Sequence, residues 1–462
     1  MAGPRTIDIN ATIERTGVSR LGILVLILAF LMMMADGYDF GTLTTAANSI
    51  LNEWKISRTE LGAVFSITFI GLLVGSLIYG WIADRFGRRA TIIFGVFNFA
   101  IPILLTVWAT NVTQLSILRF VGGVGMGGIV PIAYTLVSEY APRRSRSTVT
   151  VLTNAGYNLA AALGGLIAAW TIPVYGWRSV YVIGAVFSFV MAGAMILWLP
   201  DSILFLIQKR PNSSQLRRLA ERLLREPVAA DTQLIAVDPQ DEKEKIARAG
   251  GLDGLVRLFS GTRAWATTLL WLLFISDALG FFFLASWLPV VMKDAGVDPS
   301  TALRMSSLFV FAGLIGGFAI MRPLDRVGPI AFIALPIIGG PAELVMGIPG
   351  LPQTWLLAAI AVAGICLAGI HMAVYAIAVR FYPPAIRGLG VSSATVWGRA
   401  GGIIAPFVGG YLLDMHMPMQ QLMIWAALPC LSTLLIGVGL GVLYRRHFDV
   451  PTVLPMEEQA AQ

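Results

Sequence analysis

The sequence predicts an all-α integral membrane protein, with twelve transmembrane helices in two pseudo-symmetric six-helix bundles. Of its 462 residues, 56% are hydrophobic and 13% are charged. A soluble globular chain carries about 25% charged residues, so this chain has too little polar surface to face water on all sides. Twelve apolar runs approach the roughly 20 residues that span a bilayer core. Motifs of the first half also recur in the second half, which predicts two related bundles.

The twelve apolar runs are separated by short polar loops and by one long middle loop. Each run is read as one transmembrane helix because its length matches the hydrocarbon thickness. In chain order the runs are 21–44, 61–83, 90–109, 112–137, 148–171, 180–199, 264–292, 305–321, 330–348, 355–379, 389–412 and 422–443. The polar stretch before the first run is long, and that run has full spanning length, so we expect no cleavable signal peptide.

Basic residues divide unevenly between the two alternating sets of loops. One set comprises the N-terminal tail, the middle loop, the C-terminal tail and the arginine-containing loops near residues 85–89, 143–146, 322–326 and 380–387. The other set holds Lys55, Arg58, Arg178, Lys293 and Arg304. Because cytoplasmic loops carry the excess of basic residues, both termini and the middle loop are predicted to be cytoplasmic. We expect a multi-pass protein of the bacterial inner membrane.

The middle loop divides the chain into three parts. Residues 1–199 form the N-terminal tail and the first six-helix bundle, residues 200–263 a cytoplasmic linker, and residues 264–462 the second bundle and tail. Within the linker, residues 214–225 alternate leucines with arginines, which is typical of an amphipathic helix. This helix is expected either to lie on the inner leaflet or to be a solvated linker helix.

Three features of the first half recur at a nearly constant distance. Residues 84–87 (Asp-Arg-Phe-Gly) recur 241 residues later as Asp-Arg-Val-Gly. The same distance separates Asp36 from Asp277, and Tyr140 recurs 242 residues later as Tyr382. Parallel six-helix repeats of this kind are typical of transporters.

The loop between the second and third runs carries a recognisable signature. Residues 80–89 read Gly-Trp-Ile-Ala-Asp-Arg-Phe-Gly-Arg-Arg, which resembles the loop signature of the major facilitator superfamily. The twelve runs and the central loop agree with that family over the whole chain. In the second half the signature is weaker, since Met321 replaces the glycine and Pro329 stands where basic residues would begin.

Further motifs are similar to those of the aromatic acid:proton symporter family. They are Asp-Gly-Tyr-Asp at residues 36–39, Arg119 leading into a glycine-rich stretch, Ser-Glu-Tyr-Ala-Pro at residues 138–142, and Gly-Arg-Ala-Gly at residues 398–401. Asp201 departs from the pattern, because a glutamate is commoner there. The resemblance implies the major facilitator fold, and proton-coupled uptake of an aromatic acid.

The two acids of the first run are candidate proton carriers. Asp36 and Asp39 are three residues apart and share one helix face. A carboxylate within lipid is costly and usually faces a cavity or a partner. Arg119 in the fourth run lies at a compatible depth, so we expect it to pair with these acids. Either the arginine keeps them ionised until a proton or substrate displaces it, or the pair is a fixed salt bridge between two helices.

Arg399, near the middle of the eleventh run, is the candidate anion-binding residue. Its planar guanidinium suits a carboxylate. The alternative is a salt bridge with Asp277, which lies near the middle of the seventh run and is a further candidate for proton coupling. Arg399 has both roles, anion binding and pairing with Asp277, if the substrate competes with Asp277 for the arginine.

Other polar and aromatic residues in the runs are candidate substrate contacts. Histidine titrates near physiological pH, although a lone membrane histidine more often packs through a hydrogen bond. Most membrane aromatics likewise only pack. The candidates are His371 and Tyr375 in the tenth run, Asn154 and Tyr157 in the fifth, and Trp397 in the eleventh. The sequence suggests no role for Glu343, and Cys366 and Cys430 are read as apolar packing residues.

Charged residues at the predicted cytoplasmic face are candidate gating residues. They are Asp84, Arg85, Arg88, Glu139, Arg143 and, in the second repeat, Asp325. The family resemblance implies a latch that closes the inner gate in one state. The alternative is that these arginines only orient the protein in the membrane.

Together these features predict proton-coupled uptake of a benzoate-like or hydroxybenzoate-like carboxylate by alternating access. The alternatives are transport of another organic anion, such as a muconate-like or dicarboxylate substrate, and proton antiport of a drug or metabolite. The residues show no metal-ligand spacing, nucleophile–base set or phosphate-binding loop, so we expect no enzyme activity, cofactor or metal. The net charge of +7 is spread over short loops and does not predict nucleic-acid binding. We expect a monomer whose partners are an organic anion, protons and lipid.

Overall fold

A computed structural model describes residues 6–211, 213–224, 227–228, 232–236, 256–382 and 384–447. These residues form fifteen labelled helices and two short strands. The helices are α1 (Ile9–Thr16), α2 (Arg20–Trp54), α3 (Arg58–Phe86), α4 (Arg88–Thr106), α5 (Val112–Glu139), α6 (Arg146–Tyr175), α7 (Arg178–Trp198), α8 (Ile203–Lys209), α9 (Ser214–Leu224), α10 (Thr262–Asp294), α11 (Pro299–Val327), α12 (Ala334–Met346), α13 (Gln353–Phe381), α14 (Pro384–Asp414) and α15 (Met419–His447). The strands are β1 (Thr6–Asp8) and β2 (Gln233–Ile235).

Eleven of the twelve predicted runs each coincide with a long helix, α2–α7, α10, α11 or α13–α15, and the ninth run contains the shorter α12. Among the described residues, ten stretches are long and apolar enough to cross a membrane. One of these stretches, Pro299–Met346, contains both α11 and α12. The predicted all-α membrane fold is therefore confirmed, and the helices are consistent with twelve spans.

The ninth predicted run is less regular than expected. A 3₁₀ segment, Gly328–Ile333, precedes the short helix α12. Gly328 has a positive φ of 77° and is followed by Pro329, so the chain cannot continue α11 in α-helical form there. Thirteen α-helical residues rise about 20 Å, and six 3₁₀ residues add about 12 Å. Together the two segments still match the bilayer core.

Two compact units are distinguished in the chain. The first contains Met1–Glu242, Phe282–Phe311 and Gly402–Met419, and the second contains Lys243–Phe281, Ala312–Gly401 and Gln420–Gln462. In the first unit, α3 packs along α5 and α2 packs along α6. In the second, α12 packs along α13. The predicted division at residues 199 and 263 stays a prediction.

Glycine allows the close helix crossings of the first unit. A Cβ atom on Gly37 would overlap the backbone carbonyl of Tyr157 in α6. A Cβ atom on Gly75 would likewise overlap the carbonyl of Val124 in α5. Small residues let membrane helices approach closely. The Gly37 contact holds the turn that carries Asp36 and Asp39 directly against α6.

The N-terminal tail is structured and bound to the middle loop. β1 pairs in parallel with β2, with Thr6 opposite Gln233. Asp8 then caps the start of α1. In the middle loop, the predicted amphipathic helix is α9. Its leucines, including Leu216 and Leu219, are buried within the protein. Protein therefore covers the apolar face, which disagrees with a helix that lies on the inner leaflet, whereas the arginines of α9 are exposed, as expected of a solvated linker helix.

Candidate functional site

Asp39 and Arg119 form a buried ion pair between α2 and α5. Both guanidinium NH groups donate to the Asp39 carboxylate at 3.2 Å. One also donates to Thr42 Oγ1 at 3.3 Å, and the guanidinium lies 5.1 Å from the ring centre of Tyr181. Asp39 is 2% exposed and Arg119 is 4% exposed. The structure thus places Arg119 beside an acid of the first run, at the depth that the sequence indicates.

Asp36 lies one turn before Asp39 in a different setting. It is 4% exposed, and its Oδ1 atom has no hydrogen-bond partner among the described residues. The neighbouring carboxylate of Asp39 interacts with it electrostatically. One acid of the motif is therefore neutralised by an arginine, whereas the other keeps an unsatisfied oxygen in the interior.

Asp277 forms the corresponding buried polar group of the second unit. Its carboxylate lies 2.7 Å from Nδ1 of His371, and the Asp277 side chain is 3% exposed. The imidazole ring stacks on Phe281 with a centroid distance of 4.4 Å and an angle of 8°. Arg399 is a possible partner of Asp277 by sequence, but the structure pairs this acid with His371. Asp277, predicted to take part in proton coupling, and His371, predicted to bind substrate, are thus in direct contact.

The second unit also contains two pairs of aromatic residues in contact. The rings of Tyr375 and Phe274 are 5.2 Å apart at 82°. The rings of Trp397 and Trp271 are 5.4 Å apart at 33°. Arg399 is partly exposed and interacts electrostatically with Tyr375. Four predicted substrate contacts, His371, Tyr375, Trp397 and Arg399, therefore occur in one compact unit.

The other two predicted substrate contacts lie on α6 in the first unit. Asn154 accepts a hydrogen bond of 2.9 Å from the Tyr134 hydroxyl. The Tyr157 ring lies 6.1 Å from that of Phe40. Both side chains are partly exposed. They are therefore accessible, but each also has an intramolecular contact that explains its position.

The predicted cytoplasmic end carries a network centred on the signature loop. Arg88 forms a salt bridge with Glu139 and donates to Ser202 Oγ at 2.5 Å. Ser202 in turn donates to Glu139 at 2.6 Å and caps α8. The network links α4, the end of α5 and the start of the middle loop. Arg88 and Glu139 are thus brought together as predicted, whereas the role of Ser202 was missed.

The other predicted gating residues occupy different positions. Asp84 and Arg85 are exposed, and the guanidinium of Arg85 lies 5.4 Å from the ring centre of Trp81. Asp325 pairs with Arg380 at 2.7 Å. The side chain of Arg143 lies outside the described part of the structure.

Asp201 extends the network at the same end. It lies 3.8 Å from Arg89 and accepts a hydrogen bond from Gln215. Burial raises the pKa of the Asp201 carboxyl, and the nearby guanidinium groups of Arg89 and Arg210 oppose this shift. Asp201 departs from the family pattern, in which glutamate is commoner, but its side chain has defined partners in the structure.

A second polar contact at the opposite end was not predicted. Asp414, at the end of α14, accepts from the backbone N–H of Arg58 at 2.9 Å and of Thr59 at 2.7 Å. The Arg58 side chain also pairs with Asp294 at 2.6 Å. All these residues belong to the first unit. The only sequence signal is the placement of these charged residues in short loops at one end.

Comparison with known proteins places this geometry in a family context. The model described as "Major Facilitator Superfamily" matches residues 25–349 and 270–461. The chain is 33% identical over 439 residues to the 4-hydroxybenzoate transporter PcaK of Pseudomonas putida, covering 94% of this chain and 96% of that protein. It is 30% identical over 430 residues to the gallate transporter of Pseudomonas putida, and the match covers 93% of this chain and 94% of that protein. It is 27% identical over 424 residues to the benzoate transport protein of Acinetobacter baylyi, covering 90% and 88%.

A solved structure supports the fold alone. The chain matches the crystal structure of a bacterial homolog to the human lysosomal transporter Spinster, in an inward-facing and unoccupied conformation, with a TM-score of 0.67. The two chains are 17% identical, and the match covers 94% of this chain and 100% of that chain.

Proposed function

The chain belongs to the major facilitator superfamily, and we propose that this transporter takes up an aromatic carboxylate together with protons. The relatives and the family are transporters rather than enzymes. The observation that carries the proposal is the 33% identity, over 94% of the chain, to a 4-hydroxybenzoate transporter. The chain is a multi-pass membrane protein, and we place it in the bacterial inner membrane with both termini cytoplasmic.

The second unit supplies the groups that suit such a substrate. The guanidinium of Arg399 offers a planar pair of donors to a carboxylate. Tyr375 and Trp397 are each 41% exposed, and their rings are proposed to stack on the aromatic ring of the substrate. His371 provides a polar group for a ring hydroxyl. Asn154 and Tyr157 of the first unit are proposed as further contacts.

The embedded acids supply the groups that suit proton coupling. A carboxyl group that takes up a proton loses its charge and with it the cost of burial. Asp36 has an oxygen without a partner, so it is the proposed site of protonation. Protonation there removes the repulsion of the Asp39 carboxylate and strengthens its pairing with Arg119. Asp277 acts with His371 as the corresponding pair of the second unit.

The signature-loop network is the proposed inner gate. Arg88, Glu139 and Ser202 hold the ends of three helices together, and a conformational change must exchange these contacts for others. Asp84, Arg85, Arg143 and Asp325 are proposed to contribute in other states of the cycle. The proposed working unit is a monomer.

An uptake panel tests the function. Purified protein in proteoliposomes with an imposed pH gradient is given benzoate, 4-hydroxybenzoate and gallate, and separately a sugar and an amino acid. We expect saturable, gradient-dependent accumulation of at least one aromatic acid and none of the sugar or amino acid. Accumulation of a non-aromatic compound alone contradicts the substrate class, and substrate export against the proton flow contradicts symport.

A further inference from the structure

Glu343 is a buried acid that the proposed mechanism does not use. It lies in α12 and has no exposed surface. Neither carboxyl oxygen has a hydrogen-bond partner among the described residues. An ionised carboxylate in such a position has a very large desolvation cost, so burial favours the neutral acid. Acids within membrane helices usually mark a pathway for ions or protons.

Helices α12, α13 and α15 meet around Glu343. One turn earlier in α12, a Cβ atom on Gly339 would lie 2.8 Å from the Cβ atom of Cys366 and 3.5 Å from Sγ of Cys430. Both cysteines interact electrostatically with Glu343. Cys366 and Cys430 are thus the ionisable groups that α13 and α15 present to this acid.

A small cavity lies next to this junction. Its lining includes Asp277, Phe281, Leu367, Cys430 and Thr433. Cys430 and Leu367 therefore border the cavity on one side and lie against the Gly339 turn of α12 on the other. Its lining is mostly apolar, and Asp277 and Thr433 supply groups that can hydrogen-bond a water molecule. Asp277 lines the cavity directly, whereas Glu343 lies outside the lining, one turn of α12 beyond Gly339.

From this arrangement we propose that Glu343 is a second proton-binding site, which exchanges its proton with the Asp277–His371 pair through water in this cavity. The proton leaves a carboxyl oxygen of Glu343 and is received by the pair, so the charge of the second unit does not change and only O–H or N–H bonds form and break. The role in coupling rests on the proposed function, whereas proton binding by Glu343 does not.

The test separates coupled from uncoupled transport. Glu343→Gln keeps the size of the side chain but cannot release a proton. In proteoliposomes with 4-hydroxybenzoate, we expect this variant to lose accumulation driven by a pH gradient and to retain counterflow exchange of substrate. Glu14→Gln, a change of an exposed glutamate on α1, is the matched control and should retain both activities.

The other possible results of this experiment also decide for or against the proposal. Normal accumulation in Glu343→Gln overturns the proposal, and so does loss of both activities in a folded variant, because that indicates a structural role. If the variant does not insert, the wild-type protein is treated with dicyclohexylcarbodiimide, which modifies protonated carboxyl groups in apolar surroundings. Peptide mass spectrometry should find the label on Glu343, and its absence there overturns the proposal. Lack of counterflow by the wild type with every aromatic acid of the uptake panel refutes the proposed function, and the labelling still tests Glu343.

Discussion

The four acids buried in the interior of the membrane helices differ in their hydrogen-bond and ionic partners. Asp39 is bound by a guanidinium and Asp277 by an imidazole. Asp36 and Glu343 keep oxygens without hydrogen-bond partners among the described residues. Removing one member of a buried pair leaves an uncompensated charge, whereas removing an acid that has no ionic partner does not. The four acids should therefore respond differently to substitution.

The ion pair in α2 and α5 gives a stability prediction. Asp39→Ala leaves Arg119 buried without its counter-charge and should destabilise the protein by about 3–5 kcal/mol. Thermal unfolding in detergent measures this effect. Asp36→Ala is the matched control and should cost less, and adding Arg119→Gln to Asp39→Ala should recover part of the loss. Equal effects of the two single substitutions would refute an ionised pair at Asp39.

Arg399 gives a binding prediction. A hydrogen bond to a charged group contributes about 1.5–3 kcal/mol, so Arg399→Ala should weaken binding of an aromatic carboxylate by about ten- to a hundredfold. Arg304→Ala, which removes an exposed arginine of α11, serves as the control. Isothermal titration with 4-hydroxybenzoate measures both. Unchanged affinity in Arg399→Ala would exclude this residue from the site.

At the scale of elements, the backbone N–H groups at the start of α3 have side-chain hydrogen-bond acceptors. A helix begins with backbone N–H groups that lack intrahelical partners. Asp414 accepts from the first two, Arg58 and Thr59, and Ser57 Oγ accepts from Glu60. The capping carboxylate comes from α14, so the end of one helix fixes the beginning of another.

The contrast between Asp414 and Asp294 tests this contact. Asp414→Ala removes the acceptor for two backbone N–H groups and should cost about 0.5–2 kcal/mol, as loss of a helix cap does. Asp294→Ala removes only an exposed ion pair with Arg58 and should cost less than about 1 kcal/mol. Thermal unfolding of both variants measures the two losses of stability. A larger loss in Asp294→Ala than in Asp414→Ala would contradict the assignment of Asp414 as the cap of α3.

Local signals predicted the helices, but not their long-range partners. Twelve apolar runs marked the long helices because the bilayer thickness requires them. The pairing of Arg119 with Asp39 followed from their depths. By contrast, β1 pairs with a strand in the middle loop, and Asp277 selects His371 rather than Arg399. Those choices depend on how distant helices pack, which hydropathy does not encode. Short 3₁₀ structure before α12 was missed because hydropathy does not distinguish helix types.

At the scale of the whole molecule, coupling requires that proton and substrate move together. The embedded acids have a functional reason to be in lipid only if at least one of them takes up a proton during transport. In the proposed cycle, alternating access links that protonation to exchange of the contacts at the signature loop. Asp36 is the proposed proton-binding residue of the first unit, because it is buried and has an oxygen without a hydrogen-bond partner among the described residues.

Proton movement during uptake tests this account most directly. A pH electrode follows the medium around wild-type and Asp36→Asn proteoliposomes when 4-hydroxybenzoate is added. We predict that the medium becomes more alkaline with the wild type, and that Asp36→Asn abolishes this change while the protein still inserts. Substrate uptake by the wild type without any proton movement, or full proton-coupled uptake by Asp36→Asn, would contradict it.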